Sequence, residues 1–384
     1  TPSRANSKGA MEMESNLLLR DTVVRVDLDA IRENMGLIRE MCGPEVAVMP
    51  VVKANGYGHG AVGIAPALME SGAAYLAVAT LTEAMELRQA YPDYPIFILG
   101  HTPERLSAVV VENNITQTVI DYKQALSLSQ AAQAAGRTAK VHLKVDSGFH
   151  RLGICDVDEL YRIYQLPGLE TEGIFSHLAL VNDEENEKQF QLFMEVIRQL
   201  EQRGCSFRYK HIADSISLVD FPQYRLNMVR PGALIYGLRG FHKGFLPVRQ
   251  CLTFETRISQ IHEVRKGEGV GYDFLWHAPQ DTRVATLPFG YSDGYPRNMR
   301  DKGYVTIRGV KCPILGVICM DQCMADLSGV PDDVQAGEPA IIYGDGENNT
   351  MGIPEAAALA ETNKNEIVAR IMARPPRVYE HSHS

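Results

Sequence analysis

The most informative part of the sequence is residues 51–60, VVKANGYGHG. An apolar run over 46–52 ends in Lys53, and three glycines and a tyrosine follow at once. A strand that ends in a lysine and breaks into a glycine-rich loop places the amine at the open end of a sheet or barrel. Partial exclusion of water there lowers the pKa of the amine and makes it nucleophilic. A lone lysine beside glycine is usually a solvated loop residue, but this string suits a lysine that forms a Schiff base with pyridoxal phosphate.

Short β-rich runs alternate with helical stretches through the first part of the chain. Such alternation is typical of parallel βαβ units, and eight units predict an α/β fold with a closed (β/α)8 barrel. An open doubly wound sheet is the alternative, because spacing alone does not prove closure. The predicted strands are 46–53, 75–80, 96–100, 117–121, 141–146, 173–177, 209–214 and 227–230.

The pattern changes near 245–247, where the helical stretches give way to short alternating runs separated by Gly- and Asp-containing turns. This change predicts an all-β second domain interrupted by one helix at 354–360. A strand with the same half-buried alternation, 22–28, precedes the barrel strands. We therefore expect three parts, which are a flexible linker at 1–16, a cofactor-binding barrel at 17–246 and a β-domain at 247–384.

Composition excludes several classes of protein. The 384 residues are 45% hydrophobic and 22% charged, as in ordinary soluble proteins. A net charge of −9 argues against a nucleic-acid partner. The seven scattered cysteines indicate reduced thiols in the cytoplasm and no metal site. No apolar run is long enough to predict membrane contact by this segment. A first residue Thr instead of Met suggests a domain excised from a longer protein, which would be a membrane protein if the resemblance described below holds.

Polar residues cluster where the predicted strands end. In a (β/α)8 barrel the chemistry lies on that face, so their joint placement favours a site over separate structural roles. The residues at or just after the strand ends are Lys53, Lys144, Asp146, Arg151, His177, Asp214, Ser215 and Arg230.

The string MVRPG, residues 228–232, is the second informative one. An arginine keeps its proton in a protein, so Arg230 could donate a hydrogen bond to a pyridine nitrogen without protonating it. The ring would then be a weaker electron sink, which favours removal and return of a proton at Cα over transamination. Gly232 and Ala233 could offer backbone N–H groups to a phosphate. The alternative for Arg230 is a surface or phosphate-binding role.

Seven strings together resemble the alanine racemase family of pyridoxal phosphate enzymes, over about residues 19–379. They occur in the family's order and are VVKANGYGHG, VHLKVDSGFHRLG, GIFSHLA, MVRPG, GVGY, GYSDGYPR and ICMDQ. The resemblance implies a homodimer with an amino-acid substrate, in which each site combines one barrel with the partner's β-domain.

The resemblance also implies roles in catalysis. Lys53 is similar to the lysine that carries the cofactor and acts as the base for the D-enantiomer. Tyr272, from the partner chain, is similar to the base that acts on the L-enantiomer from the opposite face. His177 resembles the residue that links this tyrosine to Arg230, the partner of the pyridine nitrogen.

Other positions resemble residues that bind the cofactor and substrate. Tyr57, Ser215 and Gly232 are similar to phosphate ligands. Arg151 is similar to the residue near the cofactor's phenolic oxygen and the substrate carboxylate, and Lys144 to a lysine that is often carbamylated and positions that arginine. In the β-domain, the partner's residue at position 320, a methionine, would meet the substrate carboxylate through its backbone, and the tyrosine at 291 would line the entryway.

Two positions depart from the family pattern. Asp214 stands where the family usually has Asn, and Asn365 stands where it usually has a pocket tyrosine. Asn is smaller and offers a donor and an acceptor, so the change would favour a substrate hydroxyl. The chain therefore resembles the racemase domain of the membrane-bound serine racemases of vancomycin resistance. We expect racemisation of serine and alanine, which supplies D-amino acids for peptidoglycan. The alternatives are an alanine-only racemase, a decarboxylase of the same architecture and a non-catalytic cofactor-binding barrel.

Overall fold

The computed structural model describes residues 18–382, so the linker predicted at 1–16 lies outside the described residues. The chain forms two compact units. One contains Asp27–Cys251 together with residues 381–382, and the other contains residues 18–26 together with Leu252–Glu380. None of the helices in the described part of the chain is long and apolar enough to cross a bilayer.

The first unit is a closed barrel of eight parallel strands. Their order is β2-β9-β8-β7-β6-β5-β4-β3, and a parallel bridge between Val51 and Ala77 joins the two ends. This closure confirms the barrel and excludes the open sheet. After β1 (Val23–Asp27), the barrel strands are β2 (Ala47–Val48), β3 (Leu76–Val78), β4 (Ile96–Ile98), β5 (Thr116–Val119), β6 (Ala139–Lys144), β7 (Leu169–Phe175), β8 (Tyr209–His211) and β9 (Met228–Val229).

Helices connect the strands, and most of the longer ones begin at a residue whose side chain accepts backbone N–H groups. Such caps satisfy donors that have no partner within the helix. The capping residues are Asp27, Thr80, Asp121, Asp156 and Asn182. The helices are α1 (Leu28–Cys42), α2 (Lys53–Tyr57), α3 (Ala61–Glu70), α4 (Leu81–Ala90), α5 (Ser107–Glu112), α6 (Tyr122–Ala134), α7 (Val157–Tyr164), α8 (Asp183–Gln202) and α9 (Ser217–Asp220).

The barrel interior contains polar rings as well as apolar ones. His211 stacks on Phe175 with ring centroids 4.7 Å apart, and His142 lies 4.7 Å from Phe97. Both imidazoles are fully buried. His142 Nδ1 and His211 Nε2 lie 2.9 Å apart and satisfy each other, whereas His142 Nε2 has no hydrogen-bond partner within residues 18–382.

The second unit is built on a nine-stranded sheet whose registered pairs are antiparallel, in the order β11-β14-β17-β16-β15-β18-β10-β1-β19, with β12 and β13 forming a separate hairpin. Its strands are β10 (Leu252–Arg257), β11 (Gln260–Val264), β12 (Gly269–Val270), β13 (Trp276–His277), β14 (Thr282–Leu287), β15 (Tyr304–Ile307), β16 (Val310–Leu315), β17 (Cys323–Asp326), β18 (Pro339–Tyr343) and β19 (Arg377–Glu380). Two helices accompany it, α10 (Ile353–Leu359) and α11 (Lys364–Ala369).

Strand β1 belongs to this antiparallel sheet and not to the barrel. It pairs with β10 from Val23 opposite Glu255 to Val26 opposite Leu252. The half-buried alternation of the strand was visible in the sequence, but alternation does not say which sheet supplies the partner. The units therefore divide at 26/27 and 251/252, where the sequence pattern placed one boundary at 246/247.

Candidate active site

Lys53 lies where the chain leaves the barrel wall, and the turn that follows it is left-handed. Ala54, Asn55, Gly56 and Tyr57 have φ values of 52°, 52°, 61° and 51°. Side chains with a Cβ avoid this region, so the turn must be held from outside. The Glu83 carboxylate accepts the Ala54 N–H at 2.7 Å, and the Asn55 side-chain oxygen accepts the N–H of residue 61 at 3.0 Å.

The Lys53 amine loses its proton more readily than the amine of an ordinary lysine. Burial lowers its pKa, and the nearby charge of Arg151 lowers it further, while Glu83 acts in the opposite direction. A neutral amine is the form that attacks an aldehyde. The direction of this pKa shift agrees with the reactivity expected of Lys53, whose role stays a prediction.

Tyr57, Ser215 and Gly232 converge beside this turn. The Ser215 hydroxyl oxygen accepts the N–H groups of Gly232 at 2.8 Å and Leu234 at 3.2 Å. A Cβ on Gly232 would lie 2.6 Å from the Tyr57 hydroxyl, so only glycine leaves room there. Burial, with the charge of Asp214, raises the pKa of Tyr57 to about 12, which keeps the phenol a neutral donor. Two hydroxyls beside a glycine that carries no side chain fit a phosphate group.

Asp214 is accommodated by a local turn. One oxygen of its carboxylate accepts the N–H groups of Ile216 at 3.1 Å and Ser217 at 2.9 Å and the Ser217 hydroxyl at 2.7 Å. An Asn side chain would offer a similar acceptor through its single oxygen. The departure from the family pattern therefore keeps the turn and adds a negative charge that is hydrogen-bonded on one side.

Arg230 is buried and held by four groups. It donates to His211 Nδ1 at 2.7 Å and to the carbonyl oxygens of Ser176 at 2.8 Å and Ile212 at 3.1 Å. His177 Nδ1 lies 3.4 Å from the guanidinium. Burial lowers the pKa of Arg230 to about 10. The charge of Asp214 acts to raise this pKa, and the charge of Arg151 lowers it further. The guanidinium therefore remains charged at neutral pH.

His177 joins this group as a neutral imidazole. Burial and the surrounding cations, Arg230 first among them, lower its pKa to about 2. The ring also packs against Phe149 with centroids 5.2 Å apart. The structure thus brings His177 and Arg230 together, as the sequence predicted.

Lys144 lies beside the charged groups of Arg230 and Arg151. Its amine lies 4.4 Å from the centre of the Phe175 ring, and burial together with the charges of Arg230 and Arg151 holds its pKa well below the usual range. Arg151 packs over the Phe149 ring at 4.4 Å. Such a concentration of cationic groups favours ligands that carry phosphate and carboxylate groups.

Tyr272 and Met320 share a cavity of about 890 Å³ within the β-domain. Tyr272 is 66% exposed and Met320 is 53% exposed. Tyr272 follows Gly271, whose φ is 76°, and a Cβ at that glycine would lie 2.8 Å from a methyl group of Met324. A tight turn thus presents the phenol at the mouth of the cavity.

The two remaining predicted residues also lie in the β-domain. The N–H of Tyr291 donates to the Cys319 carbonyl at 3.2 Å, and the next residue donates to the Met320 carbonyl at 3.1 Å, so these two loops are tied together. Asn365 is exposed in the first turn of α11, which Asn363 caps by accepting the Glu366 N–H.

Sequence reasoning missed four residues that support the site. Glu83 could have been found, because Thr80 and Glu83 have the spacing of a capping box, which the structure confirms. His142, Glu172 and His211 lie inside predicted strands or just beside them but have no local signal, because their contacts join different strands.

The closed barrel, the half-buried lysine and the neighbouring hydroxyls of Tyr57 and Ser215 are features that suit a barrel protein with an anionic aldehyde cofactor. Comparison with known proteins narrows this class. The chain matches the family model described as alanine racemase, N-terminal domain, over residues 26–240 and the one described as alanine racemase, C-terminal domain, over 251–379.

Individual relatives align with this chain over nearly their whole length. Alanine racemase from Desulforamulus reducens is 39% identical over 364 residues, which is 92% of this chain and 97% of that protein. The enzyme of that name from Clostridium tetani is 38% identical and covers 94% and 96%. Alanine racemase of Clostridium difficile 630 superposes with a TM-score of 0.91 at 32% identity, covering 96% and 98%. Alanine racemase from Bacillus anthracis with bound L-Ala-P superposes with a TM-score of 0.89 at 32% identity, and the match covers 96% of this chain and 97% of that one. The chain belongs to the alanine racemase family, whose members use pyridoxal 5'-phosphate.

Proposed function

We propose that this protein is a pyridoxal phosphate-dependent racemase whose main substrate is alanine. The observation that carries the proposal is the partly dry Lys53 amine, at the end of a barrel strand, next to the cradle of Tyr57, Ser215 and Gly232. The names of the relatives support alanine over serine. The names of these relatives do not support the alternative of a decarboxylase.

The chain's own groups would hold the cofactor at three places. Tyr57, Ser215 and the backbone of Gly232 and Ala233 would bind its phosphate. Arg230 would donate a hydrogen bond to the pyridine nitrogen and keep its proton, since its pKa is about 10. Arg151 would pair with the substrate carboxylate. When bound, the cofactor supplies an electron-withdrawing ring that acidifies the substrate's Cα–H bond.

Racemisation requires two bases on opposite faces of the substrate. The Lys53 amine would take and return the proton at Cα on one face, for the D-enantiomer. The partner's Tyr272 would do so on the other face, for the L-enantiomer. His177, neutral and 3.4 Å from Arg230, would orient that phenol. The proposal therefore includes a homodimer, and the 66% exposure of Tyr272 on its own β-domain supports it.

The test is conversion of L-alanine to D-alanine by the purified protein and by Lys53→Ala. We expect D-alanine from the wild type and a loss of at least about a thousandfold in kcat for Lys53→Ala, because base and cofactor attachment are removed together. Lys123→Ala, an exposed lysine of the same barrel, is the control. Full activity of Lys53→Ala, or release of carbon dioxide by the wild type, would refute the proposal.

Serine is the second candidate substrate, and Asn365 is the reason. An Asn at the position that resembles the family's pocket tyrosine would leave space and a hydrogen-bonding group beside the substrate's β-carbon. A role in supplying D-serine for vancomycin resistance rests on this resemblance alone. We expect Asn365→Tyr to lower kcat/KM for L-serine more than for L-alanine. An unchanged ratio in this variant would leave alanine as the only supported substrate.

A further inference from the structure

Arg230 is a buried cation that forms no ion pair with a carboxylate. Among the ion pairs of residues 18–382 none includes Arg230, and its hydrogen-bond partners are two carbonyl oxygens and two imidazole nitrogens. A buried charge needs oriented dipoles or a counter-charge to be stable. The contact to His211, at 2.7 Å, leads away from the site into the barrel core.

His211 is the first link of a hydrogen-bonded chain. Arg230 has only donors, so His211 Nδ1 must accept, and its proton must lie on Nε2. His211 Nε2 is 2.9 Å from His142 Nδ1, which must therefore accept in turn. The proton of His142 then lies on Nε2, which faces the Glu172 carboxylate at 3.8 Å. This last contact is electrostatic and too long for a hydrogen bond, and His142 Nε2 has no hydrogen-bond partner within residues 18–382. Each proton position follows from the permanent donor at one end.

Glu172 ends the chain as a stable anion. The carboxylate is buried and receives a hydrogen bond from Tyr75, while Lys140 and Arg208 lie 3.5 and 3.4 Å away. Burial acts to raise its pKa, but His142, Tyr75 and Lys140 outweigh burial and lower the pKa to about 2. A negative charge thus faces the last imidazole N–H of the chain.

The barrel wall makes room for this chain at one point. His142 pairs in register with Gly173 of the neighbouring strand, next to an irregularity between residues 141 and 142. A Cβ on Gly173 would lie 2.5 Å from His142 Nδ1, the atom that receives the bond from His211. Because φ at Gly173 is not in the left-handed region, the glycine is required there by space and not by backbone conformation.

We propose that His211, His142 and Glu172 are positioning residues for Arg230, and that this chain aligns two imidazole dipoles with their negative ends toward the guanidinium. The alignment fixes the orientation of Arg230 and supports its charge across the barrel core. Linked hydrogen bonds polarise one another in this way when the surroundings exclude water. The inference rests on the proposed function, because Arg230 is there the partner of the pyridine nitrogen.

The test combines imidazole nitrogen NMR with kinetics on the full, cofactor-loaded chain. Signals of His142 and His211 are assigned by His142→Gln and His211→Gln. In the wild type we expect both rings in one tautomer, protonated on Nε2, with no titration between about pH 6 and 9. Glu172→Gln, which removes the charge but keeps the shape, should mix the tautomers of His142. It should also lower kcat about three- to tenfold, the effect of one ordinary hydrogen bond, with KM little changed.

Two further variants keep the proposal open to refutation. Gly173→Ala should displace the His142 ring and give the same tautomer change without altering any charge. Thr171→Val, on the same strand, removes a buried hydroxyl that has no hydrogen-bond partner within residues 18–382, and should change neither readout. Unchanged tautomers in both Glu172→Gln and Gly173→Ala would overturn the proposal, as would equal losses of kcat in Thr171→Val. If the wild type forms no D-alanine, the proposed function is wrong. The tautomers of His142 and His211 then test the hydrogen-bonded chain by themselves.

Discussion

Glu83 offers the most direct test of how the lysine is positioned. One oxygen of its carboxylate accepts the Ala54 N–H, and the other accepts the N–H groups of Ala79 at 2.8 Å and Thr80 at 3.2 Å. The same side chain therefore caps helix α4 and holds the left-handed turn after Lys53. Replacing Glu83 by alanine removes both functions at once.

The expected loss of stability in Glu83→Ala follows from the contacts that this substitution removes. A left-handed conformation costs about 1–2 kcal/mol for most residues with a Cβ, but Asn adopts it readily, so Ala54 and Tyr57 without Asn55 store about 2–4 kcal/mol. A hydrogen bond to a charged group contributes about 1.5–3 kcal/mol, and a helix cap about 1 kcal/mol. Because Glu83 is partly exposed, water replaces some of these bonds. We therefore expect Glu83→Ala to lose about 1–3 kcal/mol of stability and at least about tenfold in kcat/KM, since the reacting amine is displaced.

Urea unfolding and racemase kinetics measure the two losses, and Glu86→Gln, an exposed carboxylate on the same helix, is the control. Glu83→Gln should recover part of the activity, because its amide oxygen still accepts one N–H group. Glu83 also raises the pKa of Lys53, so its removal lowers that pKa further. The uptake of pyridoxal phosphate by the cofactor-free protein should then begin at a lower pH. Wild-type kinetics and stability in Glu83→Ala would refute the reasoning.

Two other predictions follow from the site. Gly232→Ala would place a Cβ 2.6 Å from the Tyr57 hydroxyl and should weaken pyridoxal phosphate binding about tenfold or more, measured by fluorescence titration. Gly36→Ala, where no atom lies within 4 Å, should leave binding unchanged. Lys144→Met should stabilise the cofactor-free protein in carbon dioxide-free buffer. The lowered pKa of Lys144 means that folding excludes a proton which the unfolded chain binds below pH 10.5, so the gain should be larger at pH 7 than near pH 10. Equal unfolding free energies of Lys144→Met and wild type at pH 7 would contradict this.

Much of the fold was visible in local patterns. All eight barrel strands were predicted, because parallel strands buried on both faces appear as short apolar runs between helices. The β-domain was recognised as all-β, but the strands β11, β12, β13, β16, β17 and β19 were not identified. Of these, β12 and β13 are only two residues long, and β11 and β19 are largely exposed, so they show little apolar alternation.

The candidate site was predictable for a related reason. Residues at strand ends occupy one face of a barrel whatever the details of packing, so the sequence alone was enough to group Lys53, His177 and Arg230. Asp214 could not be interpreted in that way. Its role depends on the turn to Ser217, and a turn geometry is not contained in the identity of one residue.

The sequence by itself determined which residue types stand at the ends of the strands, and with them the chemistry of an amine, a guanidinium and a phosphate cradle. Tertiary structure alone decided the closure of the barrel, which depends on the bridge between Val51 and Ala77, and the sheet to which β1 belongs. It also decided the chain from Arg230 to Glu172, whose members come from four different strand regions. Local periodicity records which side of a strand is buried, whereas a contact between strands depends on how the whole barrel closes.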